Sequence, residues 1–525
     1  MRKSVPLPVP RPAASSSPLP GPLARPLLGG ALAVALALAL TACGSGNDNK
    51  STTPSGSYDK NATIGIGSLY EPQNLDNTGG GGQGVTEALN GNVYEGLFRL
   101  TDSGKVEKQL AKDYTVSPDG LTYTFKLRDG VTFHSGKKLT SADVKYSIEK
   151  VTAENSQSAR KSSFDMIKSI ATPDPATVAV TLSSKSISFV YNLSYVWVVN
   201  SEAKDLKTSE DGTGPYKLDK WTRGSALSLD RFTGYWGTPA TNAKVVFHYY
   251  KDATALNNAL LTNAVDVVTS EQSPDALDQF ASNPAYKVND GNSTTKLLLA
   301  FNDKVKPFDN VKVRKAVSSA IDNKKLLQSV WGDHGTLIGS MVPPTDPWYE
   351  DLTKVNPYDV ALAKKQLTEA GYAKGFDFTL DTPNYDPHPT AATFIKSELA
   401  KVGINVKINI ITPDEWYTKV YKNHDFSATL QEHVNDRDVV WYGDPDFYWG
   451  YDNKQVGAWV KQAEQSDTTD EQTALLKKVN NQIAEDAASD WLYLYPQIVV
   501  ASTELSGYPL NGLNSQFYAY AIKKS

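Results

Sequence analysis

Residues 110–151 read LAKDYTVSPDGLTYTFKLRDGVTFHSGKKLTSADVKYSIEKV. Two runs of alternating polar and apolar residues flank Pro118-Asp119-Gly120, and that alternation predicts a β-hairpin. Proline presets φ at the second turn position, and glycine accepts the positive φ that tight turns require. A helix then begins at TSADVKYSIEKV, where Thr140 or Ser141 can cap the free N–H groups and Asp143 faces the positive end of the helix dipole. Strand text thus runs straight into helix text, so the chain is not a pure sandwich or a pure bundle.

The same mixture extends outward. Upstream, ATIGIGSLY (62–70) alternates like a strand and stops in EPQNLDNTGGGGQG (71–84); Val85, Leu89, Val93, Leu97 and Phe98 then recur near helical spacing. Downstream, TVAVTL (177–182) and ALSLDRF (226–232) read as strands, and residues 253–268 as a helix leading into a strand. NVKVRKAVSSAIDNKKLLQSVW (310–331) reads as one amphipathic helix with Val313, Ala316, Val317, Ala320 and Ile321 inward. VALAKKQLTEAGY (360–372) stops at Gly371, and 393–411 is a helix, a glycine stop and an alternating strand. The last segments, DWLYLYPQIVVAST and FYAYAIKK, are again strand-like. An α/β or α+β body with more than one sheet is expected.

The amino terminus has a different logic. Arg2, Lys3, Arg11 and Arg25 precede an apolar run of small residues from about Leu27 to Leu40, and no acidic residue occurs before Asp48. The run is short for a membrane span and fits the hydrophobic region of a secretion signal. Cys43 is the only cysteine in 525 residues, so it has no intrachain disulfide partner, and no histidine flanks it. Leu40-Thr41-Ala42-Cys43 resembles the lipobox of bacterial lipoproteins, in which the leader is cut before the cysteine and the thiol carries a diacylglycerol. The acyl chains would supply about 0.8 kcal/mol per buried methylene, enough for a stable tether. Residues 43–57, CGSGNDNKSTTPSGS, then form a flexible linker.

A chain of this length exceeds one hydrophobic core, so two or more lobes are expected. A net charge of −5 offers no footprint for nucleic acid, and nothing after the leader approaches membrane-spanning length. Ten Trp and 27 Tyr against 16 Phe mean that most large rings carry a polar handle, which suits a wet cleft or a half-buried surface alike.

Five phrases occur in one order: NVYEGLFRL (92–100), the 110–151 stretch, GTGPYKLDKW (212–221), AFNDKVKPFDNVKVRKAVSSAIDNKKLL (300–327) and AKKQLTEAGY (363–372). Together they resemble the extracellular solute-binding proteins of family 5, the oligopeptide and dipeptide class serving ABC importers. The resemblance implies an α/β, two-lobed periplasmic-binding-protein-like fold (type II, large peptide-binding class) with an extra subdomain in the first lobe. The implied organisation is 1–42 signal peptide, 43–57 linker, 58–98 first part of lobe I, 99–212 inserted subdomain, 213–296 second part of lobe I, 297–489 lobe II and 490–525 the return to lobe I. It further implies a monomeric, non-enzymatic receptor without cofactor. Such a receptor would be anchored by lipid at Cys43 on the outer face of the cell membrane, and would hand a small solute, foremost a short peptide, to ABC permease subunits.

In peptide-binding relatives an aspartate in a Trp-x-x-Asp context pairs with the peptide ammonium. Trp441-Tyr442-Gly443-Asp444 fits that pattern, but Pro445 follows at once. If Asp444-Pro445 instead matches a later Asp-Pro of the relatives, Trp441 takes the anchor position and no carboxylate remains there. In that register a cleft of Trp441, Tyr442, Tyr448 and Trp449 suits sugars or other cyclic solutes. SLYEPQNLDN corresponds to a cleft-lining loop of the relatives, making Tyr70 and Glu71 candidates.

Other motifs fail. Gly79-x-Gly81-x-x-Gly84 lacks the strand a dinucleotide fingerprint needs directly before it, and Lys138 stands where a phosphate loop needs Ser or Thr. His424 and His433 have no partner pattern for a metal site. Glu432 with Asp436 or Asp438 are acidic neighbours without known geometry. A secreted glycan-active hydrolase is the competing class, separable by turnover of substrate.

Overall fold

The computed structural model describes residues 58–525 except Gly81 and Ala159. The expected leader, Cys43 and the 43–57 linker lie outside the described residues.

Two large sheets organise the described chain. The first has seven strands in the order Tyr286–Gly291, Gln497–Ser502, Val267–Val268, Thr63–Ser68, Lys244–Tyr249, Ala226–Arg231 and Tyr216–Thr222. Thr63–Ser68 runs parallel to both of its neighbours, with Thr63 opposite Lys244 and Ser68 opposite Tyr249. The second has five strands in the order Asn405–Ile411, Asp377–Pro383, Ala428–His433, Lys296–Phe301 and Ser489–Leu494. Strands buried on both faces read as continuous apolar runs, and both sheets show it. Within Lys296–Phe301, Leu297, Leu299 and Phe301 enter one hydrophobic layer while Leu298 and Ala300 enter the other. Within Gln497–Ser502, Val499 and Ala501 pack with Ile64 and Ile66, whereas Ile498 and Val500 pack with Leu256 and Phe280 on the opposite face. The sheets are joined twice, at residues 292–295 and at Tyr495-Pro496.

The hairpin of the opening stretch sits in a third, four-stranded antiparallel sheet made by Ala111–Val116, Thr122–Leu127, Thr177–Leu182 and Ile167–Asp174. Tyr114 pairs with Phe125 and Val116 with Tyr123. Gly120 turns the chain at φ 72° and its N–H donates to the Ser117 carbonyl at 2.8 Å. The helix Ser141–Thr152 is closed at its start by Asp143, whose carboxylate accepts from the Thr140 N–H at 3.0 Å and the Thr140 hydroxyl at 2.8 Å. Val144 and Ile148 seat it against Phe125, Val178 and Val180.

Two helical readings differ from the structure. The helix Gly82–Leu89 ends before Val93, because Gly91 takes φ 69°, and Phe98 begins the short strand Phe98–Leu100. The 310–331 segment is two helices, Val311–Ala320 and Asn323–Trp331. Ile321 is extended, and Asp322 accepts the Lys325 N–H at 3.1 Å as a new cap, so a mid-segment aspartate restarts the helix instead of riding on it. Among the described residues no helix is long and apolar enough to cross a membrane.

Candidate functional site

The parallel strand pairs place their carboxyl ends together, where open α/β sheets characteristically take ligands. Tyr70 follows Thr63–Ser68, and Thr269, Ser270 and Gln272 follow Val267–Val268. From the five-stranded sheet come Tyr385 and Asp386 after Asp377–Pro383, with Glu432 and Val434 at the end of Ala428–His433. Glu87 projects from the helix Gly82–Leu89, and both connections contribute, through Ser293, Thr295, Tyr495 and Pro496. Together they enclose a cavity of about 280 Å³ lined by both lobes and both joining segments.

The cavity wall is acidic and phenolic. Ser68 Oγ donates to Glu87 Oε2 at 3.0 Å, and Glu87 Oε1 is buried without a hydrogen-bond partner. The Tyr385 hydroxyl donates to Glu432 Oε1 at 3.2 Å. Burial pushes the Glu87 carboxyl up to about 7, despite the hydroxyls of Thr269 and Ser68 beside it. Burial likewise raises Glu432 to about 7, opposed by Tyr385. Tyr70, which lines the same cavity, is pushed above its ordinary value by burial first and then by the charges of Glu432 and Glu87. Gly84 makes the close approach of this loop to the helix: a Cβ there would lie 2.2 Å from the Tyr70 carbonyl oxygen.

A second cavity of about 340 Å³ lies between the segment Arg160–Asn192 and the residues from Asp436 to Leu476. Beside it Asp436 accepts from the Tyr191 hydroxyl and, at 3.1 Å, from the Tyr195 hydroxyl, while Arg160 Nη2 stands 3.5 Å away. Burial, followed by the Asp436 charge, holds both phenols well above their ordinary value, so they remain donors. The Arg437 guanidinium sits 3.4 Å over the Tyr191 ring centroid and 5.1 Å from that of Trp348. That stacking offsets the cost of about 1 kcal/mol of holding Arg437 at φ 58°. Nearby, Glu464 accepts from the Ser186 and Ser188 hydroxyls, the latter at 2.7 Å, and its carbonyl accepts the Ile187 N–H at 2.9 Å. These contacts hold the four-stranded subdomain against the five-stranded lobe.

Of the sequence candidates, Tyr70 lines the first cavity. Glu71 accepts from Trp221 Nε1 at 3.2 Å and from the Gly224 N–H at 2.8 Å, tying its turn to the hairpin at residues 216–231. Trp441 and Asp444 border the second cavity; Asp444 is exposed, and its carboxylate accepts the Asp446 N–H at 3.0 Å in a turn. Tyr442, Tyr448 and Trp449 are fully buried in the lobe core, with Tyr442 stacked on Trp449 at 4.3 Å. Glu432, Asp436 and Asp438 do not form one carboxylate group: the first faces the first cavity, the second joins the subdomain to the lobe, and the third pairs with Lys296 Nζ at 3.2 Å in the interior. Burial raises Asp438, but Lys296, His433 and Arg160 together more than offset it and the carboxyl titrates below its ordinary value. Sequence reasoning passed over Glu87, Arg160, Tyr191, Tyr195 and Tyr385. Only the EALN context of Glu87, a carboxylate on the inward face of a helix, carried any signal. Among the described residues no cluster of three or more His, Cys, Asp or Glu is placed to hold a metal ion.

Two lobes joined by two crossings, with a cavity shared between them, define a hinged binding protein. Residues 105–458 match the family described as bacterial extracellular solute-binding proteins, family 5, and the chain belongs to that family. It is a solute-binding protein of the kind that serves ABC importers. The glutathione-binding protein GsiB of Salmonella typhi is 28% identical over 486 residues, covering 86% of this chain and 92% of that protein. The periplasmic binding protein AgaA of A. tumefaciens R10, solved with agropinic acid, superposes with a TM-score of 0.75 at 25% identity, covering 88% of this chain and 99% of its own. DppA of Helicobacter pylori, solved with the peptide STSA, superposes at 0.74 with 24% identity, covering 88% and 98%.

Proposed function

We propose that this protein is the lipid-anchored capture component of an ABC importer. Cys43 tethers it at the outer face of the cell membrane, and the two lobes close on a short peptide and present it unchanged to the permease. The observation that carries the reading is the cavity of about 280 Å³ to which both lobes and both joining segments contribute. Such a cavity exists only while the lobes are together, so its contacts are differential between open and closed states and ligand binding draws the equilibrium toward closure. The peptide assignment is supported by relatives named for glutathione and solved with a tetrapeptide. Tyr70 would contact the solute directly, and Trp441 and Asp444 would flank one that extends into the second cavity.

Thermal-shift screening of the mature chain against peptide and saccharide libraries tests it. Melting temperature is expected to rise with peptides of a few residues, without hydrolysis of the ligand. A rise with saccharides alone would remove the peptide assignment, and turnover would remove the receptor reading. Mass spectrometry of the mature protein is expected to find Cys43 acylated at the amino terminus.

A further inference from the structure

Resting on that reading, we infer that the cleft selects a solute carrying a cationic group, an ammonium or guanidinium, held between Glu87 of one lobe and Glu432 of the other. Three observations converge. Glu87 is 5% exposed, lines the cavity and keeps one carboxyl oxygen, Oε1, with no hydrogen-bond partner. Glu432 lines the same cavity with the Tyr385 hydroxyl as its donor. Asp386 adds a third carboxyl at the exposed rim, and among the described residues lining the cavity none is basic.

A buried carboxyl without a cation is costly, and a group left unpaired in a site that both lobes complete is satisfied most economically by the ligand itself. A cation there would donate charge-assisted hydrogen bonds to carboxyl oxygens on two sides, with Glu87 Oε1 as the vacant acceptor. An anionic solute would instead meet like charge in a desolvated space. Because the two carboxyls belong to different lobes, a cation between them is bound better closed than open, which ties recognition to closure. The phenols of Tyr70, Tyr385 and Tyr495 complete the wall and offer rings and hydroxyls to the rest of the solute.

Calorimetry at pH 8 on the mature chain, with small-angle scattering to read closure, tests the inference using Ala-Lys, Ala-Ala, putrescine and N-acetyl-Ala-Ala. At least one cation-bearing probe is expected to bind tenfold or more tighter than N-acetyl-Ala-Ala. Glu87→Gln and Glu432→Gln are each expected to weaken that binding at least tenfold while circular dichroism stays that of the wild type. Glu432→Gln, at the less enclosed position, decides the matter if Glu87→Gln misfolds. Equal affinity for N-acetyl-Ala-Ala, or unchanged affinity in the variants, overturns the inference. Closure by a cation-free probe alone would leave solute capture standing while removing the cation. A panel in which nothing binds would likewise overturn the cation inference, solute capture being decided separately by the library screen.

Discussion

Replacing Asp436 with alanine should open the protein. Its carboxylate receives the Tyr191 and Tyr195 hydroxyls from the subdomain and stands 3.5 Å from Arg160, so these bonds exist only while subdomain and lobe are together. Hydrogen bonds to a charged group contribute about 1.5–3 kcal/mol each. Taking the lower figure for the two phenols, and nothing for the long Arg160 contact, the closed state loses about 3 kcal/mol, roughly a hundredfold in the closure equilibrium. If ligand is held by the closed form, apparent affinity falls in proportion to the closed fraction. Calorimetry should therefore show affinity for any bound solute falling by about two orders of magnitude in Asp436→Ala. Scattering should require correspondingly more ligand to reach the compact curve. Tyr191→Phe, which removes one donor, should lose about tenfold. Affinity within threefold of the wild type in Asp436→Ala would refute the reasoning, since it would mean the contact is not part of closure.

Glu87 makes a pH prediction for the free protein. Of the titratable groups around it, Tyr70 and Tyr249 are phenols raised by burial and stay neutral. Glu432, lining the same cavity and itself raised to about 7, ionises over the same range and is present in both wild type and variant. The Glu87 carboxyl rises from 4.5 in the unfolded chain to about 7 in the folded one, so stability is fully present below about 4.5 and is lost as pH climbs through about 7. At about 1.4 kcal/mol per pH unit the loss approaches about 3 kcal/mol. Glu87→Gln should therefore be more stable than the wild type at pH 8 and not at pH 4 in chemical denaturation; equal differences at both would remove the assignment. Lys296→Met leaves Asp438 buried without its cation and should cost about 3–5 kcal/mol by the same measurement, most of it recovered in Lys296→Met/Asp438→Asn. Gly84→Ala drives a Cβ into the Tyr70 carbonyl and should displace that loop, lowering solute affinity by tenfold or more with little change in circular dichroism. Asp444→Ala, altering an exposed turn, should leave affinity for an amino-terminal ammonium within twofold; a larger loss would restore Asp444 as an anchor.

What the sequence by itself determined was local. The hairpin at Pro118–Gly120, the capped helix Ser141–Thr152 and the glycine stops at Gly371 and Gly403 depend on turn chemistry, caps and side-chain period, which neighbouring residues decide among themselves. The ordered phrases carried the fold class and the family for the same reason: each is a contiguous stretch. The candidate site was legible in part, at Tyr70, because its loop is one such stretch. The aromatic run from Trp441 to Trp449 shows where this ends, since an indole or phenol ring buries equally well in a core or a cleft. Only packing decided that Tyr442, Tyr448 and Trp449 fill the lobe interior. Glu87 and Glu432 come to line one cavity, and Asp436 meets Tyr191, through sheet order and the double crossing between lobes. A carboxylate in the sequence carries no mark of whether water, a lysine or an empty cavity will face it. That partner is chosen by tertiary structure, and with it the charge state of the carboxyl.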